Sequence, residues 1–187
     1  MLSQSVTDPR LGLMGLQLLA GNYGARAVVE ELRRARPHSE WRQLGVLDAD
    51  GDVAVFSGAR ALGVYAAATG KQCLAAGNLS ADERIPQAMV DAFTSNEGRD
   101  LASRLLDALE AGLRLGGEAG PLRSAGLLVC ADESWPRVDL RVDWDDNPVE
   151  RLGQLWKIYE PQMDDYVLRS RSPQQAPPYG VPGERIP

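Results

Sequence analysis

The residues of this sequence best suited to chemistry are polar side chains at the ends of predicted strands. Gln4 and Ser5 lie on a short N-terminal strand, and Asn78 follows directly after another predicted strand. An asparagine amide in such a position can donate a hydrogen bond to an oxygen that gains negative charge during acyl transfer. We therefore predict that Asn78 is an oxyanion or substrate donor and that Gln4 and Ser5 line its pocket.

A second polar group belongs to two strands further along the chain. Arg123 and Ser124 open an apolar run. Asp139 and Arg141 project from the strand predicted beside it. A guanidinium fork matches the two oxygens of a carboxylate, so Arg123 or Arg141 is suited to hold a substrate carboxylate. The alternative is that Asp139 and Arg141 form a structural ion pair while the other two residues cap turns, and the sequence leaves both open.

The remaining reactive side chains fit no catalytic or metal-binding pattern. His38 is the single histidine and falls in a predicted loop, which disfavours a histidine metal site and a Ser-His-Asp triad. Cys73 and Cys130 lie in predicted strands, where cysteine behaves as a small buried apolar residue. The acidic run at 48–52 lacks the glutamate that closes a calcium loop and predicts a hairpin turn. We expect no metal and no cofactor.

The elements that would position these residues come in paired blocks. The patterns predict, in chain order, a strand at 3–5, a helix that begins at 8–9 and ends near 21, a helix at 25–35, strands at 41–47, 53–57 and 72–76, helices at 83–96 and 99–115, strands at 124–131 and 138–142, and a helix from 148. The continuously apolar run at 124–131 is typical of a central buried strand. Paired blocks favour antiparallel sheets with helices on their outer faces, an α+β sandwich.

The chain changes character after residue 147. A helical seam follows, formed by Val149, Leu152, Trp156, Tyr159 and Met163. Pro161 must kink that helix or start a new one. From Ser172 onward the chain is rich in Pro and Gln, which predicts an extended tail that is disordered or lies on a neighbour. An aromatic seam is either core or interface, and with such a tail it favours a homo-oligomer.

Composition describes an ordinary globular chain. It has 187 residues, of which 44% are hydrophobic and 25% charged. The net charge of −6 and the lack of a basic patch are unfavourable for nucleic-acid binding. The sequence contains neither an apolar stretch of about 18 residues nor a signal-peptide pattern after Met1, so we expect a cytoplasmic protein without a membrane partner.

Six short blocks resemble, in the same order, those of one bacterial family. The blocks are 3–12, 41–51, 56–60, 76–78, 124–129 and 138–143. They are similar to the domain-of-unknown-function family numbered 1028, and the resemblance runs from residue 3 to about residue 166. It implies an N-terminal-nucleophile (Ntn) hydrolase-like fold, a four-layer αββα sandwich of antiparallel sheets. The resemblance also implies additional strands before the first matched block, and we expect that this chain lacks them.

The resemblance also implies a reaction. In the Ntn class a Thr, Ser or Cys at a processed N-terminus attacks an amide, and its own α-amine, with a pKa near 8, is the base. We therefore expect hydrolysis of an amide bond in a small or peptide-like metabolite, with a nucleophile that the sequence does not identify.

Two alternatives remain beside this reading. One is a non-catalytic, oligomeric binding or structural relative that keeps the fold. The other is binding of peptidoglycan or cell wall, since the family's C-terminal extension is described as peptidoglycan-binding-like. The predicted parts are an Ntn-hydrolase-like domain at 1–147, a helical extension at 148–170 and a Pro-rich tail at 171–187.

Overall fold

A computed structural model describes residues 1–182 and residue 184, and the chain forms two compact units. Unit 1 is Met1–Leu122 and unit 2 is Arg123–Pro187. The elements of unit 1 are β1 (Leu2–Ser5), α1 (Pro9–Ala20), α2 (Ala25–Ala35), β2 (Arg42–Leu47), β3 (Val53–Ser57), β4 (Ala66–Gly70), β5 (Cys73–Gly77), α3 (Ile85–Thr94) and α4 (Leu101–Arg114). Those of unit 2 are β6 (Ala125–Val129), β7 (Val138–Val142), α5 (Pro148–Tyr159) and α6 (Met163–Arg171). The predicted three-part division of the chain stays a prediction.

Unit 1 contains two small antiparallel sheets and four helices. Sheet A has the strand order β1-β2-β3, and sheet B is the hairpin of β4 and β5. Helix α2 packs on β2 and β3, β2 contacts β5 across the two sheets, and α3 packs on β4 and β5. Helix α1 lies against α2, and α4 lies against α3. The predicted combination of antiparallel sheets with helices packed on them is confirmed for this unit.

Alternation along β2 explains how sheet A faces two neighbours. Leu44 and Val46 are almost completely buried in a cluster with apolar residues of α1 and α2. Gln43 and Gly45 face the opposite way, towards sheet B. A Cβ atom at Gly45 would lie 2.8 Å from Leu74 Cδ1 and 2.9 Å from Leu2 Cγ. Glycine at this position therefore allows the two sheets to approach closely.

The helices that cover sheet A begin as the sequence predicts. Asp8 is the N-cap of α1, and its Oδ1 accepts a hydrogen bond from the backbone N–H of Arg10 at 3.2 Å. The same carboxylate also pairs with the guanidinium groups of Arg10 and Arg36. Helix α2 has the predicted bounds, 25–35. Both helix predictions are confirmed.

Strand β4 is absent from the predicted elements. Its sequence, Ala-Ala-Ala-Thr-Gly, contains no β-branched or aromatic alternation that would mark a strand. The segment is a strand because it pairs with β5, with Gly70 opposite Cys73, although its own residues have little preference for extended structure. The short strand predicted at 72–76 is confirmed with a shift of one residue, since β5 is Cys73–Gly77.

The prediction of a central buried strand at 124–131 is wrong. Strand β6 pairs only with β7 among the described residues, in a two-stranded sheet of unit 2. Leu127 is buried, whereas its neighbour Leu128 is 58% exposed. An uninterrupted apolar run therefore forms a strand with only one covered face, and the run alone does not distinguish this from a central position.

The helical part of unit 2 follows the predicted pattern. Helix α5 ends at Tyr159, a 3₁₀ turn covers Glu160–Gln162, and α6 begins at Met163, so Pro161 does separate two helices. Trp156 and Met163 are buried. The seam is therefore core of unit 2, which settles the choice that its periodicity left open.

The described part of the C-terminal tail lies against α6. The Arg169 guanidinium is 4.0 Å from the ring centroid of Tyr179, and its Nη2 donates to the carbonyl oxygen of Pro177 at 3.1 Å. The tail thus packs on its own unit, which differs from both predicted alternatives, while the predictions for residues 183 and 185–187 fall outside the described residues. Within the described part of the chain, no helix combines the length and the apolar character needed to cross a membrane.

Candidate functional site

A buried glutamine on β2 is the centre of a polar network between the sheets of unit 1. Gln43 has no exposed surface. Its Oε1 accepts a hydrogen bond from Gln4 Nε2 at 2.6 Å. Its Nε2 donates to Ser57 Oγ at 2.9 Å and to the carbonyl oxygen of Ala66 at 3.1 Å. The side chain therefore ties β1, β3 and β4 together at one end of the two sheets.

A second chain of hydrogen bonds runs from Ser5 towards Asn78. Ser5 Oγ accepts from the backbone N–H of Leu62 at 3.1 Å. The carbonyl oxygen of Leu62 in turn accepts from the N–H of Leu79 at 2.9 Å. Because Gly77 pairs with Ala66 across sheet B, Asn78 lies between the two chains of contacts. The structure thus brings Gln4, Ser5 and Asn78 to the same end of unit 1.

The backbone around Asn78 is held on both sides. The N–H of Ser80 donates to the carbonyl oxygen of Val64 at 3.0 Å. The carbonyl oxygen of Leu79 accepts from the N–H of Ala119 at 2.8 Å. Ser80 is buried, and a Cβ atom at Gly77 would lie 2.6 Å from Ser80 Oγ. The half-buried Asn78 side chain has no hydrogen-bond partner among the described residues. Its amide is therefore positioned by the backbone and available to a ligand.

Two non-glycine residues at this end have positive φ. Ser5 has φ of 70° and Leu79 has φ of 52°. Each conformation costs roughly 1 kcal/mol or more for a residue with a Cβ, and it persists only where the surroundings enforce it. The hydrogen bonds to Leu62 supply that enforcement at both residues. Such strain clusters at functional sites, which supports the assignment of this region as the candidate site.

The chemistry of the site is that of neutral amides and hydroxyls. Gln4, Asn78 and Ser5 can donate and accept hydrogen bonds without a change of charge. An amide side chain matches both the carbonyl oxygen and the N–H of an amide ligand. The site is therefore suited to orient and polarise an amide, but these residues do not include a general base.

The four predicted site residues of unit 2 have their partners within that unit. Arg123 pairs with Asp146, and its guanidinium lies 5.5 Å from the ring centroid of Trp144. Arg141 Nη2 donates to Asp143 Oδ1 at 2.8 Å, and this hydrogen bond raises the pKa of the arginine.

Arg141 therefore pairs with Asp143 and not with Asp139, which was the predicted alternative. Ser124 and Asp139 are exposed. Since β6 and β7 pair antiparallel, Asp139 and Arg141 lie opposite Leu128 and Gly126. The sheet shows these four residues on the surface of unit 2, and their proposed role in substrate binding stays a prediction.

Other reactive groups of the chain are structural or isolated. Asp48 caps α2 from a distance in sequence, because its Oδ2 accepts from the N–H of Ala25 at 2.8 Å. That hydrogen bond, followed by those from residues 50–52, lowers the pKa of Asp48. Cys73 is buried as expected, whereas Cys130 is exposed beyond the end of β6, so the expectation of burial is wrong there. In the described part of the chain, no cluster of three His, Cys, Asp or Glu residues is placed to hold a metal ion.

Sequence reasoning missed Gln43, the residue that organises the site. It lies within the predicted strand at 41–47 beside leucine, glycine and valine. A polar residue at an inward position of a strand is the available signal, because a buried amide must find partners. One of those partners is the carbonyl oxygen of Ala66 in sheet B. The signal can therefore be used only when β4 is known to be a strand.

The fold defines a mixed α/β protein with small antiparallel sheets. The chain belongs to DUF1028, a family of unknown function, whose model matches residues 1–152. The predicted resemblance to this family is confirmed, and the match includes all seven predicted site residues.

Solved structures support the same relationship. The chain is similar to the crystal structure of protein SPO2555 from Silicibacter pomeroyi, which carries the same family label. The two are 28% identical with a TM-score of 0.75, and the match covers 84% of this chain and 71% of the other. No curated protein matches the chain significantly.

Proposed function

We propose that this protein hydrolyses an amide bond in a small or peptide-like metabolite, at the site formed by Gln4, Ser5 and Asn78. The observation that carries the proposal is the pair of hydrogen-bond groups at one end of unit 1. The fully buried Gln43 holds Gln4, Ser5 accepts from Leu62, and Asn78 follows the strand that pairs with Ala66. Overall, water would cleave the C–N bond of the amide to give a carboxylate and an amine. The attacking nucleophile is not assigned.

The packing of unit 1 supports an Ntn-hydrolase-like framework. Its elements follow the order helices α1 and α2, sheet A, sheet B, helices α3 and α4, which is the order of a four-layer αββα sandwich. Strand β1 pairs only with β2 among the described strands, so its other edge is open to a further strand. The additional strands that the family resemblance implies would fit that edge.

Asn78 is proposed to act on the substrate carbonyl. Its side-chain N–H would donate to the carbonyl oxygen, whose negative charge grows as the carbon is attacked. Loss of one such donor costs about 100- to 1000-fold in kcat. Gln4 and Ser5 would orient the rest of the amide through their own donors and acceptors. The prediction that Arg123 or Arg141 holds a substrate carboxylate concerns unit 2 by itself and stays a prediction.

Amine release from a panel of N-acyl amino acids and dipeptide amides tests the proposal. The wild-type chain should release amine from at least one member. Asn78→Ala should lower kcat for that member by about 100-fold or more while the circular dichroism spectrum stays unchanged. Asn96→Ala is the matched control, because Asn96 is exposed between α3 and α4. Wild-type kcat in Asn78→Ala would refute the role of Asn78.

A second candidate function is binding without turnover. It is favoured by the neutral character of the site, in which Gln4, Ser5, Gln43 and Asn78 include no acid or base. This candidate corresponds to the non-catalytic, oligomeric relative that the sequence predicts as an alternative, and cell-wall binding is a variant of it. Binding of an amide from the panel, with no release of amine over days, would favour it over hydrolysis.

Helix α1 supplies the observation that favours a homo-oligomer. Leu13 is 68% exposed and Leu16 is 55% exposed on the outer face of this helix. Light scattering should give a mass of at least two chains, and Leu16→Asp should reduce that mass to one chain. A single-chain mass for the wild-type protein would contradict this part of the proposal.

A further inference from the structure

We propose that Leu79 and Val64 form an apolar subsite next to the candidate amide site, and that this subsite selects amides with an aliphatic side chain. The inference rests on the proposed function, because it names the substrate class of the same site. Leu79 follows Asn78 directly, and Val64 lies in the loop before β4.

The turn after β5 buries a polar residue and exposes an apolar one. Ser80 is buried, whereas Leu79 beside it is 47% exposed. In the loop before β4, Val64 is 45% exposed and Tyr65 is 37% exposed. A single exposed leucine is ordinary on a protein surface. Three exposed apolar side chains on two segments that are hydrogen-bonded to each other offer a surface for an apolar partner.

The backbone of Leu79 is held in a conformation that leucine rarely adopts. Its φ is 52°, in the left-handed region where a residue with a Cβ atom is strained. Its N–H donates to the carbonyl oxygen of Leu62 at 2.9 Å, and its carbonyl oxygen accepts from the N–H of Ala119 at 2.8 Å. These hydrogen bonds fix the direction of the Leu79 Cα–Cβ bond before a ligand arrives, which reduces the ordering that binding requires.

Glycine at position 63 allows the Leu79 side chain to lie against the loop before β4. A Cβ atom at Gly63 would lie 3.0 Å from Leu79 Cδ2 and 3.1 Å from Leu79 Cα. The N–H of Ser80 donates to the carbonyl oxygen of Val64 at 3.0 Å, so the same turn holds the residue after this glycine. The Leu79 side chain therefore lies on the backbone next to Val64.

Leu62 connects the apolar subsite with the amide site. Its N–H donates to Ser5 Oγ at 3.1 Å, and its carbonyl oxygen accepts from the N–H of Leu79. One residue therefore contacts both the hydroxyl that is proposed to orient the amide and the residue that carries the apolar side chain. An amide bound by Ser5 and Asn78 would have its substituent within reach of Leu79 and Val64.

The segments that form the subsite carry no charged side chain. Residues 61–70 and 72–81 contain no Asp, Glu, Lys or Arg. On the adjoining segment, Glu118 pairs with Ser80 in an isolated β-bridge, and its exposed carboxylate would repel an acidic substituent. A neutral aliphatic group therefore fits the subsite better than a charged group, whose hydration these residues do not replace.

Titration with four N-acetyl amino acid amides tests the proposal. The probes are the amides of leucine, glycine, lysine and glutamic acid, the last with a free side-chain carboxylate. Backbone amide signals of Leu62 and Leu79 in NMR spectra report binding, and amine release in the same samples reports hydrolysis.

The expected order of affinity follows from the apolar surface that each probe can bury. A fully buried methylene adds about fourfold in affinity, so a leucine side chain covered on one face should bind about tenfold more tightly than glycine. The lysine and glutamic acid amides should each bind about fivefold or more weakly than the leucine amide, because their charges keep their water.

Substitution of Leu79 identifies the side chain responsible. Leu79→Asn removes the apolar surface but introduces a residue that tolerates positive φ, so the fold should be retained. It should bind the leucine amide about tenfold more weakly than the wild type and the glycine amide equally well. Leu101→Asn is the matched control, because Leu101 on α4 has a similar exposure of 43%, and it should keep the preference for leucine. Circular dichroism of each variant establishes that it is folded.

The outcomes separate the subsite from the proposed hydrolysis. A preference for the leucine amide without amine release supports the subsite and contradicts hydrolysis. Amine release from the leucine and glycine amides, with equal affinity for both, supports hydrolysis and overturns the subsite.

Three further results would overturn the proposal. They are the absence of saturable binding of the leucine amide, binding of the lysine or glutamic acid amide as tight as that of the leucine amide, and an unchanged preference for leucine in a folded Leu79→Asn variant. If Leu79→Asn does not fold, an unchanged preference in Val64→Thr has the same consequence, since threonine keeps the shape of valine and replaces a methyl group with a hydroxyl.

Discussion

Two neighbouring residues of β2 bury polar side chains in opposite ways. Gln43 points between the sheets, and both ends of its amide are hydrogen-bonded to other strands. Arg42 points to the helix side, and its Nε and Nη1 are buried without a partner. The amide is neutral and satisfied, whereas the guanidinium is charged and unsatisfied.

The difference shows that burial alone does not decide whether a polar group stabilises the fold. A buried group with all its partners stabilises the fold, and its removal leaves those partners unpaired. A buried group without partners opposes folding, because it has lost its hydrogen bonds to water. Gln43 should therefore stabilise unit 1 beside the candidate site, and Arg42 should lower its stability.

The largest effect is expected at Gln43. Gln43→Leu keeps the approximate volume but leaves Gln4, Ser57 and the Ala66 carbonyl without partners. The free energy of unfolding should fall by about 3 kcal/mol, with a drop in Tm of about 8 °C. Urea unfolding followed by circular dichroism measures this.

Gln17→Leu is the control for that experiment, because Gln17 is exposed on α1. Its unfolding free energy should stay within about 0.5 kcal/mol of the wild type. Equal stability of the two variants would mean that the network around Gln43 does not stabilise unit 1.

The Asp48 carboxylate is a second group with all its hydrogen-bond partners, and its contribution to stability depends on pH. Its hydrogen bonds, first that from Ala25, depress the pKa of the carboxyl in the folded chain. Its contribution is therefore complete above the unfolded pKa of about 3.9 and is lost as the pH falls through the lower folded value. Asp48→Ala should lower Tm at pH 7 by about 4 °C and flatten the fall of Tm between pH 5 and pH 2.

Asp50→Ala is the control in the same turn, since the Asp50 side chain has no part in capping α2. It should keep the acid dependence of the wild type. The same acid dependence in Asp48→Ala as in the wild type would remove Asp48 from the account. Thermal unfolding at several pH values, followed by circular dichroism, decides between these results.

Much of the framework could be predicted from the sequence, because local signals fix helix ends. Asp8 with Pro9 marks the start of α1, and Gly51 in its acidic turn marks the hairpin of β2 and β3. β4 could not be predicted, because a segment of alanines becomes a strand only through its pairing with another strand. The partners of Gln43 and the isolation of Arg42 are three-dimensional facts that no spacing in the chain encodes.

The candidate site was predictable only in part. Their positions on or directly after predicted strands point to Gln4, Ser5 and Asn78, and the structure brings these three to one end of unit 1. The same argument points to Arg123 and Arg141, but these two arginines pair with acidic residues of unit 2. Strand ends identify where polar side chains collect, whereas the sheet order decides which of them meet.

Ser5 should give a smaller effect that separates hydrogen bonding from strain. Ser5→Ala removes the acceptor of the Leu62 N–H and should cost about 1 kcal/mol, or roughly 3 °C in Tm. Ser5→Gly removes the same acceptor but relieves the positive φ, so it should be more stable than Ser5→Ala by about 0.5 kcal/mol. A glycine variant less stable than the alanine variant would contradict the strain assigned to this position.

The smallest expected change has the opposite sign. Arg42→Met removes two buried nitrogens that have no hydrogen-bond partner, so it should raise the free energy of unfolding by about 0.5 kcal/mol and Tm by about 2 °C. Arg42 would then lower stability where Gln43 increases it. A loss of stability comparable to that of Gln43→Leu would show that Arg42 has structural partners after all, and the comparison would fail.

The most direct test of the central claim is an NMR titration with N-acetyl amino acid amides. The claim is that Gln4, Ser5 and Asn78 form one amide-binding site, so two separate signals should report the same event. The side-chain amide of Asn78 and the backbone amide of Leu62, which binds Ser5 Oγ, should shift together with one Kd. Asn78→Ala should abolish the shift at Leu62. Absence of any shift at both residues with the whole panel, or different Kd values at the two, would contradict the account.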